Sequence, residues 1–218
     1  SMSSGRRRVF TLGEVRSWCK DVRHAKLRPA GAEAVVMCVA NFKGGVSKTT
    51  TAVTLAQGLS VRGHKVLLID ADPQGSATTL FGILPHVEIS AEQTMLPLCR
   101  GEEESIEYAI RPTYWDGVDL VPASTDLFSA EFDLPSRQMA TEGFQFWNVL
   151  NNGLENARLN YDVIIIDTPP ALSYITINGL MAADGIVMPL PPNALDFLSS
   201  SQFWGLITEL TQGLQRHG

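Results

Sequence analysis

Short apolar runs recur along this chain, and three of them close on polar clusters at Asn41, Asp70 and Asp167. The pattern predicts buried strands over residues 35–40, 65–70 and 161–167. A helical pattern begins near Thr49 and is predicted to run to about Arg62, where Gly63 ends it. A strand, a crossover helix and a second apolar strand make a βαβ unit, hence a parallel sheet. The unbroken apolar stretch before Asp167 predicts helices on both faces of that sheet. The fold class predicted is α/β, a doubly wound, mostly parallel sheet flanked by helices.

The remaining segments are less regular. Thr11 is predicted to cap a short helix within residues 10–22, where Leu12, Val15, Trp18, Cys19 and Val22 fall at three- and four-residue spacing. Residues 1–8 read as disordered and 26–33, with Pro29 and Gly31, as a linker. Short helices are predicted over 91–99 and 102–110, and a strand over 118–122. A longer helix is predicted over 144–159, with Trp147, Leu150, Leu154 and Arg158 along one side. A helix over 175–183 leads to a strand over 185–189. A last helix places Phe203, Leu206, Ile207, Leu210 and Leu214 on one stripe. Two parts are expected: a basic arm over 1–33 and an α/β domain over 34–218. An alternating α/β chain ordinarily returns to its sheet after such a helix, so the chain is expected to be cut short at its C-terminus. Ser1-Met2 reads as a cloning remnant.

Composition narrows the class. An apolar fraction of 44% with 18% charged residues in 218 residues suits one sizeable core. No apolar run reaches the roughly 18 residues that suggest a membrane span. Cys19, Cys38 and Cys99 are far apart, which suits a reducing cytoplasm without structural disulfides. The net charge of −6 conceals an asymmetry: residues 1–33 hold eight Lys/Arg against three acidic residues, and the remainder nine against twenty. An acidic body with a basic arm is not the profile of a strong nucleic-acid binder, and a solvated basic linker is the expected role of the arm.

Candidate chemistry gathers at the three polar clusters. Asn41-Phe42-Lys43-Gly44-Gly45-Val46-Ser47-Lys48-Thr49-Thr50 joins a buried strand to a helix N-terminus, where backbone amides and the helix end favour phosphate. The phosphate-loop pattern G-x-x-x-x-G-K-[ST] fails at both glycines, with Phe42 at the first and Ser47 at the second. Lys48 supplies a cation for phosphates and Thr49 a hydroxyl for Mg²⁺. In an open parallel sheet ligands bind outside the C-terminal strand ends, so the clusters at Asp70-Ala71-Asp72-Pro73-Gln74 and Asp167-Thr168-Pro169-Pro170 should meet the loop. Hydrolysis of ATP needs charge neutralisation, a held metal and an oriented water. Asp167 fits the metal role, and Asp70 and Asp72 are the candidates beside the γ-phosphate. Taken singly, each aspartate could be a turn residue or a cap. Three clusters in order, each after a buried strand, point to nucleotide binding.

Lys43-Gly44-Gly45-Val46-Ser47-Lys48-Thr49-Thr50, the segment from Leu68 to Thr78, and Asp162-Val163-Ile164-Ile165-Ile166-Asp167-Thr168-Pro169-Pro170 together resemble the deviant Walker A ATPases of the ParA/MinD group. The likeness covers residue 35 to the C-terminus and is strongest to ParA-type plasmid and chromosome partition ATPases. The Val46-Ser47-Lys48 form of the loop and the segment from Pro191 to Phe197 are similar to larger ParA proteins that carry an N-terminal winged helix, which this stretch of sequence is expected not to include. The resemblance implies a P-loop NTPase that binds ATP/ADP with Mg²⁺ and forms an ATP-dependent homodimer. It implies that Lys43 reaches across to the partner's phosphates. Lys48 then contacts phosphates in its own subunit, Thr49 ligates Mg²⁺ and Thr50 meets the α-phosphate. Asp72 positions the attacking water, Asp70 and Asp167 support the metal, and Pro189, Pro191 and Pro192 lie near the base. It further implies slow Mg-dependent ATP hydrolysis, stimulation by a ParB-type centromere-binding protein, and nonspecific DNA binding in the full-length form. The expected location is the cytoplasm, on the nucleoid when ATP is bound.

Two departures qualify this. Ser47 replaces the commoner glycine, so the backbone there is expected to avoid positive φ. The segment that usually completes these proteins with a basic surface is expected to lie outside this stretch, so DNA binding is expected of the full-length form and doubtful in this fragment. The alternative is a MinD-like membrane-associated regulator, a class ending in a basic amphipathic helix; residues 208–218 have few cations. An iron-protein-like electron-transfer ATPase would need cluster cysteines near the site. A small-molecule kinase leaves Lys43 without a role.

Overall fold

The computed structural model describes residues 8–192, 201 and 203–209. Its strands are β1 (Val35–Val39), β2 (Val66–Asp70), β3 (Arg111–Pro112), β4 (Val118–Val121), β5 (Val163–Asp167) and β6 (Gly185–Val187). They form one six-stranded sheet in the order β3-β4-β2-β5-β1-β6. All neighbours are parallel except β3 against β4. The two-residue β3 sits at an edge, where Pro112 is tolerated.

The helices are α1 (Leu12–Val22), α2 (Lys48–Val61), α3 (Ser76–Leu80), α4 (Pro85–Glu88), α5 (Leu96–Arg100), α6 (Ala130–Ala140), α7 (Val149–Gly153), α8 (Glu155–Asn160) and α9 (Tyr174–Ala182). They cover the sheet on both sides because strand side chains alternate. Val66, Leu68 and Ile165 pack with Ala52, Val53 and Ala56 of α2 on one face. Leu67, Ile69, Ile164 and Ile166 pack with residues of α5, α6, α7 and α9 on the other. This double coverage is why β2 and β5 are buried at every position.

Several predicted elements are subdivided. Residues 91–99 hold a 3-10 turn (Ala91–Gln93) and the start of α5, because Thr94 is extended and Pro97 opens a new helix. Residues 102–110 contain only the 3-10 turn Ile106–Ala109. The single helix over 144–159 is a 3-10 turn followed by α7 and α8, broken at Gly153-Leu154. A Cβ at Gly153 would lie 2.6 Å from Leu98, so glycine is what lets α7 pack closely against α5 at this point. The sequence pattern did not reveal α6, which carries Pro135 within it.

The N-terminal arm is packed rather than solvated at three arginines. Thr11 and Glu14 close a capping box on α1. Arg16 donates to the carbonyls of Ser60 and His64, and Arg23 to that of Arg62, all at the C-terminal end of α2. Arg28 donates to the carbonyls of Arg158 and Leu159 at the end of α8 and pairs with Asp162. Helix C-termini carry partial negative charge and unsatisfied carbonyls, which is why these cations settle there.

Residues 203–209 are helical. The predicted stripe is split: Phe203 is buried and Ile207 half-buried, while Leu206 is exposed. Leu210 and Leu214, and the disorder expected over residues 1–7, lie outside the described residues.

Candidate functional site at the strand ends

β5 lies between β1 and β2, so the three polar clusters come together at one edge. Val39 and Asp167 are register partners, as are Asp70 and Asp167. The Thr168 hydroxyl donates to the Val39 carbonyl at 2.9 Å and fastens β5 to the start of the loop.

The loop is framed by Asn41, which is buried. Its Oδ1 accepts the Lys43 N–H at 3.0 Å and its Nδ2 donates to the Pro189 carbonyl at 3.0 Å. Sequence reasoning gave Asn41 no role of its own; an Asx residue two positions before an amide was the available signal. Of the three candidate base-side prolines, Pro189 is tied to the loop by this bond. Pro191 is half-buried and Pro192 exposed.

Gly45 and Ser47 both adopt the left-handed region, at φ 73° and 62°. This overturns the expectation for Ser47, which is the one non-glycine residue with positive φ among the described residues. A Cβ in that region costs about 1–2 kcal/mol. The reversal is imposed from both sides: Asn41 fixes the loop's entrance, and Ser47 is the N-cap whose carbonyl receives the N–H and hydroxyl of Thr51. Left-handed residues of this kind build concave amide nests for anions. Open space surrounds the Cα of Gly44 and Gly45, while Val46 is buried beneath them.

The two lysines differ. Lys48 is 7% exposed and Lys43 is exposed. Burial lowers the Lys48 pKa, against the pull of Asp167 and Asp72, which raise it. Thr49 is half-buried and Thr50 exposed.

The three carboxylates are also unequal. Asp70 is fully buried and accepts from both the N–H and the hydroxyl of Thr78. Burial raises its pKa to about 6. Asp72 accepts the Gln74 N–H through Oδ1. Both oxygens of Asp167 are buried with no hydrogen-bond partner. Burial first, then the charge of Asp70, push its pKa to about 8. The Thr49 hydroxyl is near enough to pull that value down, but no bond of good geometry reaches either oxygen.

Such an unpartnered, buried carboxylate beside a half-buried hydroxyl fits a hard cation. No group of three or more His, Cys, Asp or Glu side chains among the described residues forms a cage by itself. That suits Mg²⁺, which takes one or two protein ligands together with phosphate and water. A concavity of about 540 Å³ runs along the outer face of α2, from Thr50 to Arg62. A smaller one of about 380 Å³ adjoins Asp72, with Pro73, Phe128, Glu131 and Pro169 in its wall. Size does not locate the site; the meeting of the loop with the carboxylates does.

A family described as an AAA domain matches residues 34–217. The chromosome partitioning protein ParA of Caulobacter vibrioides is 39% identical over 71% of this chain and 55% of its own length. Protein SopA of Escherichia coli is 37% identical over 96% of this chain and 54% of its own. The chain belongs to the ParA-type partition ATPase family. Among solved structures, this ParA-type chain resembles a cobyrinic acid a,c-diamide synthase from Mycobacterium smegmatis with bound ATP analog and magnesium. The TM-score is 0.70 at 35% identity, covering 82% of this chain and 67% of that one. The ParA-type chain spans about half the length of the curated relatives it matches. No described helix is long and apolar enough to cross a membrane.

Proposed function

We propose that this chain is the nucleotide-hydrolysing part of a partition protein that binds Mg²⁺·ATP at the loop. It pairs face to face with a second copy in the ATP state and hydrolyses the nucleotide slowly. The single observation that carries this reading is the convergence of the loop with the unpartnered Asp167. In this reading Thr49 and Asp167 would hold Mg²⁺, which supplies neutralisation of phosphate charge. The amides of residues 44–47 and the Lys48 ammonium bind phosphate oxygens, and Thr50 meets the α-phosphate. Asp72 orients the attacking water, with Asp70 behind it. The exposed Lys43 reaches the partner's phosphates, and Pro189, Pro191 and Pro192 border the base. An ATP analog and magnesium in a related structure support the choice of ligand. The longer protein is proposed to bind nonspecific DNA, to associate with the nucleoid in the cytoplasm, and to be stimulated by a ParB-type partner during segregation of a plasmid or chromosome.

Asp72→Ala tests the hydrolytic reading. The variant is expected to keep Mg²⁺·ATP affinity within about threefold and to lose about a hundredfold in turnover, as removal of a positioned acid–base group does. Wild-type turnover in this variant would remove Asp72 from that role. Failure of the wild-type chain to bind Mg²⁺·ATP would overturn the reading itself.

A further inference from the structure

Asp70 and Asp167 end neighbouring strands in register, yet they are used differently. Asp167 has no hydrogen-bond partner, whereas Asp70 is committed to its own chain. Asp70 Oδ2 accepts the Thr78 N–H at 2.8 Å and the Thr78 hydroxyl at 2.7 Å. Asp70 Oδ1 accepts the Asp72 N–H at 3.3 Å. One carboxylate therefore ties the start of the turn at Asp72 to its far end at Thr78. The Thr78 hydroxyl also accepts the Ala123 N–H at 2.9 Å, which joins the turn to the segment after β4. That segment leads to Phe128 and Glu131, beside Asp72 in the 380 Å³ cavity. Inside the turn, Gln74 donates to Asp72 Oδ1 and Gly75 to the Asp72 carbonyl.

We propose that Thr78 is a positioning residue: with Asp70 it forms a buried staple across residues 70–78 that fixes where the Asp72 carboxylate points. The inference rests on the hydrolytic reading above, in which Asp72 orients water. A hydroxyl is needed because it donates to the carboxylate and accepts from the Ala123 amide at once. Valine has the same shape and can do neither, whereas serine can do both. Helix α3 would need only the Thr78 N–H for its first turn, so the hydroxyl's two bonds are not explained by helix initiation. A small misplacement of Asp72 costs rate far more than affinity, because orientation matters in the transition state.

The test compares Thr78→Val and Thr78→Ser with the wild-type chain in three measurements. These are amide hydrogen exchange without nucleotide, affinity for a fluorescent ATP analog with Mg²⁺, and single-turnover ATP hydrolysis. In Thr78→Val the amides of Asp72, Gln74 and Gly75 are expected to exchange about tenfold faster, with β1 and β5 unchanged. Hydrolysis is expected to fall about tenfold or more while affinity stays within about threefold, and serine restores both readouts. Wild-type exchange at Asp72, Gln74 and Gly75 in Thr78→Val overturns the staple. So does an equal loss of affinity and rate that serine does not rescue. If the wild-type chain does not hydrolyse ATP, the hydrolytic reading falls, and exchange alone decides the staple. Should valine unfold the protein, Thr78→Ala replaces it with the same outcomes.

Discussion

The ammonium of Lys48 donates a 3.0 Å hydrogen bond to the backbone carbonyl of Lys43, so the two lysines of the loop meet through main chain rather than as competing charges. Lys48 lies beneath the loop, and Lys43 stands exposed at its entrance. Lys48 is thereby held under the loop, whereas Lys43 lies at the protein surface.

Lys43→Gln keeps the carbonyl that Lys48 uses and removes the charge of an exposed side chain. The variant is expected to bind Mg²⁺·ATP as a monomer while losing ATP-dependent dimerisation in light scattering. Lys48→Gln is expected to lose about ten- to a hundredfold in nucleotide affinity, the scale of one charge-assisted hydrogen bond. A full ATP dimer in Lys43→Gln would sink the trans role of Lys43.

The left-handed backbone at Ser47 gives a prediction about stability. Glycine adopts that conformation without a Cβ penalty but orders a more flexible chain, so Ser47→Gly should change stability by less than about 1 kcal/mol. Ser47→Val places a β-branched side chain at φ 62° and should cost about 1–3 kcal/mol. Urea denaturation of both variants measures the difference, and equal costs would contradict strain at this residue.

The carboxylate pair makes the nucleotide-free protein sensitive to pH. Asp70 and Asp167 have folded pKa values of about 6 and about 8, each raised mainly by burial above the ordinary 3.8. The folded state therefore binds more protons than the unfolded chain between those limits. Their contribution to stability is full below about pH 4 and is lost as pH rises through 6 and then 8. Asp167→Asn removes the larger shift. Between pH 5 and 8, wild type should lose stability relative to Asp167→Asn by on the order of 1 kcal/mol per pH unit. Saturating Mg²⁺·ATP should shrink the dependence on pH, because a cation at Asp167 replaces the proton. Parallel stability curves for the two proteins, measured by thermal unfolding across this range, would refute the assignment.

Much of this architecture was legible in the residue order. The βαβ unit, the parallel sheet and the clusters at Asn41, Asp70 and Asp167 follow from apolar runs that close on polar groups. Strand side chains alternate and helices repeat near 3.6 residues, so local pattern carries that information. The break at Gly153-Leu154 was passed over by the helical period, although Asn152-Gly153 is a turn-prone pair; the close approach of Leu98 there is not local in sequence. The arm's arginines also read as solvated charge, since nothing local reveals that α2 and α8 present bare carbonyls to them.

Residue order alone sets which groups stand at the strand ends: two lysines, a threonine and three aspartates. Their division of labour arises in the folded chain. Folding buried Lys48 and exposed Lys43, turned Ser47 left-handed, spent Asp70 on Thr78 and left Asp167 unpartnered. The reason is physical: burial and hydrogen-bond partnership depend on which strands lie side by side, and β5 enters between β1 and β2 from more than ninety residues farther along the chain.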